Sequence, residues 1–193
     1  MRIGIDFDNT IANYDGVFHA AALARGLISA DLPNGKNDVR DYLNGSGRKD
    51  DFTELQGYVY GSRMDLVSPY PGVRNFIVEA VARGHEVWVI SHKTRTPMLG
   101  PAFDMHEAAR GFLNDQNMID PARAYFEVTK EDKLRRATGL AVDVFIDDLP
   151  EILEHPAFPD FAKPVLFDPD NRWSGSPFER HGDWTSIHRH LLG

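Results

Sequence analysis

Three short apolar runs in this chain end in residues that carry chemistry, and that pattern limits the fold more than any other feature. Ile3-Gly4-Ile5 stops at Asp6, with Asp8 and Thr10 close behind. Glu86-Val-Trp-Val-Ile90 stops at Ser91, and Val142-Asp-Val-Phe-Ile146 stops at Asp147-Asp148. Two further runs, Ala124–Val128 and Pro164–Phe167, are similarly short and apolar. Between the runs the apolar spacing changes to that of helices. Val17, Ala20, Ala21 and Leu23-Ala24 lead to Gly26; Val73, Phe76, Ile77, Ala80 and Val81 lead to Gly84. Asp104 with Glu107 opens a third helix over Met105–Leu113, and Thr129 opens a fourth that closes at Gly139. A short helix is expected near Pro150–Glu154 and a last one over Asp183–Leu192. Strands alternating with helices predict an α/β fold, a three-layer Rossmann-like parallel sheet with right-handed crossovers.

Residues 27–70 break the pattern. Pro33-Asn34-Gly35, Asn44-Gly45-Ser46-Gly47 and Gly61 are turn signals, with charged and aromatic residues between them. The expected organisation is a core of residues 1–12 and 71–193, interrupted by a small, mostly helical insertion over 13–70.

In parallel sheets ligands bind beyond the carboxyl ends of the strands. That rule gathers Asp6, Asp8, Asp147 and Asp148 on one rim with the hydroxyls of Thr10 and Ser91. The helix after Thr129 adds Lys130 or Lys133, and Lys133 is favoured because it precedes the apolar Leu134. Carboxylates this close repel and need a cation or a proton to coexist. Oxygen ligands without His or Cys suit a hard ion, Mg²⁺ above all. Each close opposite charge contributes up to about 4 kcal/mol at an effective dielectric near 20. Such a site can neutralise a phosphoryl group, and positioning plus charge neutralisation is what slow phosphate-ester hydrolysis needs.

Asp6-Phe-Asp8-Asn-Thr10 after a strand, Ser91 ending a second, Lys133 at a helix start, and Phe145-Ile-Asp147-Asp148 resemble the four motifs of the haloacid dehalogenase (HAD) superfamily, in order, over about residues 1–155. The resemblance implies a Mg²⁺-dependent phosphatase in which Asp6 is the nucleophile, forming an aspartyl-phosphate, and Asp8 the general acid and then base. It implies that Thr10 supports the loop, Ser91 holds the phosphoryl group and Lys133 holds Asp6. Asp147, with Asp148 through water, would ligate the metal beside Asp6 and the Asp8 backbone carbonyl. The dehalogenase branch lacks an acid at the Asp8 position, which favours phosphoryl chemistry. The insertion resembles a small cap; Arg63 within it, and His92 and Lys93 after Ser91, are the expected substrate contacts. A small phosphorylated metabolite, either a nucleoside monophosphate or a sugar phosphate, is the expected substrate. A phosphotransferase or mutase using the same intermediate, and a catalytically idle binding module, are the competing readings.

The remaining composition narrows the setting. The chain has no Cys, which excludes disulfides and thiolate sites. Its net charge of -8 argues against a nucleic-acid polymer as partner. No apolar run nears the roughly 18 residues of a membrane span, and the first residues read as a strand rather than a signal peptide, so a cytoplasmic setting is expected. Asp168-Pro-Asp170-Asn171 reads as a turn, and His181, His188 and His190 read as surface residues.

Overall fold

The structure is a computed structural model that describes all 193 residues. Its main sheet has six strands: β1 (Arg2–Ile5), β4 (Glu86–His92), β5 (Ala124–Glu127), β6 (Val144–Asp147), β7 (Lys163–Phe167) and β8 (Glu179–His181). Their order is β5-β4-β1-β6-β7-β8, and every neighbouring pair is parallel. Helices cover both faces. This is the reason the strands read as near-continuous apolar runs: a parallel strand is buried on both sides. All four residues of β6 and the last three of β1 are buried. β8 was not expected. Its sequence, Glu-Arg-His, carries no apolar residue, and an edge strand of three residues needs none.

Helices α4 (Val73–Ala82), α6 (Lys130–Gly139), α7 (Pro150–Leu153) and α8 (Trp184–Leu192) pack around this sheet. Three helix starts follow the sequence chemistry. The Thr129 side chain accepts from Asp132 N, Asp183 Oδ1 accepts from Ser186 N at 2.7 Å, and Asp104 Oδ1 accepts from Glu107 N at 3.0 Å at the head of α5 (Met105–Asp115).

The chain divides into two compact units. One comprises Met1–Ala12, Pro69–Lys93 and Leu113–Gly193; the other comprises Asn13–Ser68 and Thr94–Phe112. The boundaries fall in two-residue strands, β2 (Ala12–Asn13) and β3 (Ser68–Pro69), at the end of β4, and inside α5. The sequence reading put all of 71–193 in the core, whereas 94–112 belongs with the inserted segment. The second unit is built from α1 (Val17–Ala24), α2 (Lys36–Gly45) and α3 (Lys49–Ser62). Gly57 and Gly61 sit one helical turn apart on α3, where a side chain would collide with Pro97 and Phe103 respectively. Those two gaps let the 94–104 segment lie on the helix. Gly61→Ala sets two effects against each other. Helix propensity favours Ala by about 1 kcal/mol, and overpacking costs about 1–3 kcal/mol. Because the clash is with Phe103 Cβ, close to the backbone, overpacking wins and a net loss of up to about 2 kcal/mol is expected in denaturant unfolding. A stabilised variant would show that the segment yields.

The core of this second unit is aromatic. Tyr14, Phe18 and Tyr60 meet edge to face at centroid distances of 4.9–6.0 Å, and the Lys36 ammonium lies 5.4–5.8 Å from all three rings.

In the first unit, Asp168 ends β7 buried. It accepts from Arg172 N at 2.8 Å, Trp173 N at 2.9 Å and Arg180 Nη1 at 3.0 Å. The expected turn at Asp168 is thus the anchor of the β7–β8 loop. His181 departs from expectation: it is buried, not on the surface.

Candidate active site

Register brings the site together. Ile5 lies level with Val89 on β4 and Ile146 on β6. The next residues along are Asp6, Ile90 and Asp147, and Ser91 lies one step beyond. β1 is flanked on both sides, so its end sits at the middle of the sheet. Asp6 N donates to Ile146 O at 2.9 Å, which ties the first acid to the strand that carries the second.

After Asp6 the chain turns tightly. Ile11 N and Ala12 N both donate to Phe7 O, and Asn9 N donates to Ala12 O. Asn9 takes a left-handed conformation (φ 58°), which Asn tolerates better than most residues. The Thr10 carbonyl accepts from Trp184 Nε1 of α8 at 3.0 Å.

Lys133 is the hub. It is 2% exposed, and its Nζ lies 2.5 Å from both Asp6 Oδ1 and Asp147 Oδ2, themselves 5% and 0% exposed. Burial opposes its charge, but Asp147 and Asp6 outweigh burial and hold its pKa well above the ordinary lysine value. Burial, assisted by Asp147 and Asp8, pushes Asp6 up to about 6 against the pull of Lys133. Lys130, its rival in the sequence, lies at the surface and pairs with Glu151 Oε1 at 2.8 Å.

Asp6, Asp147 and Asp148 each bring a carboxylate oxygen to within 4.8 Å of the other two. That is an all-oxygen donor set of high charge, and it fits a hard divalent cation. Asp147 Oδ1 also accepts from Leu149 N at 3.0 Å, which fixes its orientation. The hydroxyls of Thr10 and Ser91 are buried and have no hydrogen-bond partner. Two orphaned hydroxyls beside an acidic cluster fit a group that supplies acceptor oxygens.

Asp8 is held by a residue that the sequence placed on the rim for another purpose. Lys93 Nζ lies 2.7 Å from Asp8 Oδ2 and 3.0 Å from Oδ1, and the Lys93 side chain is buried. Nothing in the sequence links residues 85 positions apart, so this pair was not legible. His92, between Ser91 and Lys93, is half-buried. Burial, with Lys133 adding to it, holds its pKa below the usual value. Arg63 belongs to the second unit. It follows α3 there, and Asp65 Oδ1 takes its Nε at 3.1 Å and Tyr58 its Nη1 at 3.3 Å.

Solved structures share this architecture. A HAD-superfamily hydrolase from Ehrlichia chaffeensis superposes with a TM-score of 0.60 at 15% identity, over 98% of this chain and 94% of that one. A predicted phosphatase from Clostridium acetobutylicum gives 0.64 at 13%, over 99% and 97%. A HAD family hydrolase from Deinococcus radiodurans, solved with bound phosphate and sodium, gives 0.53 at 15%, over 100% and 88%. No protein-family model and no curated protein sequence matches the chain. The structural likeness runs the length of the molecule, and on it the chain has the fold of the HAD-superfamily hydrolases.

Proposed function

We propose that this protein is a Mg²⁺-dependent phosphatase that hydrolyses a small phosphorylated metabolite through an aspartyl-phosphate on Asp6. The observation that carries the reading is the convergence of Asp6, Asp147 and Asp148 beside one buried ammonium, Lys133. The same fold in hydrolases and phosphatases supports the reaction class.

Asp6, Asp147, Asp148 and the Asp8 carbonyl would hold the metal, which when bound neutralises phosphoryl charge. The chain's own groups do the rest. An Asp6 carboxylate oxygen attacks phosphorus, and the bond to the leaving oxygen breaks. Asp8, protonated, gives that oxygen its proton. Asp8 then takes a proton from water as the water oxygen attacks phosphorus, which breaks the bond to Asp6 and releases phosphate. Lys133 keeps Asp6 ionised and in place. Ser91 and Thr10 have free hydroxyls to give: Ser91 to a phosphoryl oxygen, Thr10 within the loop. Lys93 aims the Asp8 carboxyl. The inserted unit acts as the cap and selects the leaving group. It has its own small cavity of about 110 Å³, lined by Thr53, Gln56, Tyr60, Thr94, Pro97 and Met105.

The test is phosphate release from a panel of nucleoside monophosphates and sugar phosphates, with Mg²⁺ and with chelator, and with alcohol acceptors added. Release that needs Mg²⁺ and ignores alcohols supports hydrolysis; transfer to the alcohol would replace it with a phosphotransferase. The pH profile gives a second check. Asp6 attacks as the anion and its pKa is pushed up to about 6. At limiting Mg²⁺, kcat/KM should therefore fall as pH drops through about 6. A cation beside the carboxylate favours its ionised form, so saturating Mg²⁺ should move that acid limb to lower pH. An acid limb indifferent to Mg²⁺ would contradict the metal assignment.

A further inference from the structure

A second cluster of metal-ligating side chains lies away from the acidic rim, where the edge strand β8 meets the C-terminal helix α8. Glu179 and His181 come from β8 and His190 from α8, and one ligand atom of each lies within 4.8 Å of the other two. His181 Nε2 is 3.5 Å from Glu179 Oε1, and His190 Nδ1 is 3.8 Å from the same oxygen. Tetrahedral zinc with bond lengths near 2.0–2.1 Å sets its ligands roughly 3.3 Å apart, so small side-chain rotations close the set.

An independent observation points to a ligand here. His181 is 9% exposed, and its Nε2 is buried without a hydrogen-bond partner. A buried imidazole nitrogen with no partner is costly to leave so, and it faces the carboxylate and the second imidazole. The two rings lie 4.9 Å apart, centroid to centroid, which is close for two imidazoles that share no hydrogen bond.

We propose that Glu179, His181 and His190 bind a zinc-class divalent cation, with water completing four-coordination, and that the ion clips the edge strand β8 to α8. Two imidazoles and one carboxylate suit zinc and exclude Mg²⁺ as the natural occupant. One contact competes. Lys163 Nζ lies 2.6 Å from His190 Nε2, and an ammonium can only donate. The neutral His190 ring therefore carries its proton on Nδ1. Coordination through Nδ1 moves that proton to Nε2, and Lys163, exposed at the start of β7, turns to solvent.

The experiment uses the full chain in excess Mg²⁺, which competes for the acidic rim, with Zn²⁺ titrated by calorimetry and Co²⁺ as the spectroscopic probe. The expected results are one Zn²⁺ per chain and tetrahedral-type Co²⁺ bands. A rise in melting temperature of about 5–10 °C at roughly a hundredfold excess over Kd should accompany them. His190→Ala and Glu179→Gln, both at exposed positions, should weaken binding about tenfold or more. Asp6→Asn should leave it unchanged, and Lys163→Met should bind as tightly or more tightly. Binding that survives His190→Ala and Glu179→Gln, or is lost in Asp6→Asn, or is weaker in Lys163→Met, would overturn the site. So would the absence of binding in the parent chain.

Discussion

Replacing Asp6 by Asn is expected to abolish turnover and, without metal, to make the protein more stable. On the proposed mechanism, loss of Asp6 removes the nucleophile and should lower kcat by about 10³-fold or more, because the remaining groups then have no covalent intermediate to build. The stability effect has a sign fixed by burial. Asp6 ionises at about 6 in the fold against 3.8 in the unfolded chain, so the fold disfavours its charge. A carboxyl with a raised pKa contributes most below its unfolded value, and that contribution is lost as pH rises through about 6. At pH 8 the cost is about 1–3 kcal/mol. Asn keeps the shape and removes the charge, so Asp6→Asn should gain about that much in urea unfolding at pH 8. The gain should close below pH 4, where the parent Asp6 is protonated. Added Mg²⁺ should reverse the order by stabilising the parent more. A variant that turns over, or that is less stable than the parent at pH 8 in chelator, would sink the assignment of Asp6 as a charge the fold carries for its chemistry.

Lys133→Met is expected to have the opposite effect on stability. Methionine fills similar space, but it leaves Asp6 and Asp147 buried without their shared cation. Removing one partner of a buried ionic group costs about 3–5 kcal/mol. The loss should be largest at pH 8 in chelator. It should shrink as pH falls, because without Lys133 nothing offsets the burial and the Asp147 charge that raise Asp6, and Asp6 takes up a proton. Mg²⁺ should rescue the variant's stability more than it stabilises the parent, while activity stays at least about a hundredfold down. Equal Mg²⁺ stabilisation of both would mean that Lys133 and the cation do not serve the same carboxylates.

What could be read from the sequence was what local chemistry determines. Ile3–Ile5 and Val142–Ile146 announce buried strands, and their terminal acids fall on one rim because parallel register requires it. Lys133 stood out from Lys130 through its apolar neighbour Leu134, and the structure buries the one and leaves the other paired with Glu151 at the surface. What stayed hidden depends on distant partners. The Lys93–Asp8 pair joins residues 85 apart, and its lysine read as a substrate contact rather than as the partner of Asp8. The grouping of 94–112 with the insertion turns on Gly57 and Gly61, which in sequence read as weak points of a helix rather than as a seat for Pro97 and Phe103. β8 and the burial of His181 escaped because a three-residue polar edge strand has no period to read.

The bond from Trp184 to the Thr10 carbonyl has a consequence for how the site comes into being. It closes a loop of 174 residues, and the Asp6–Lys133 contact closes one of 127. Contacts of such separation form late, because loop-closure entropy must be met before they return anything. The turn after Asp6 has its own local hydrogen bonds, but the bond that ties it to the helix carrying Trp184 forms only when nearly the whole chain closes on itself. Asp6, Lys133 and the turn between Asp6 and Thr10 are therefore brought together by contacts that span most of the chain, not by any local segment.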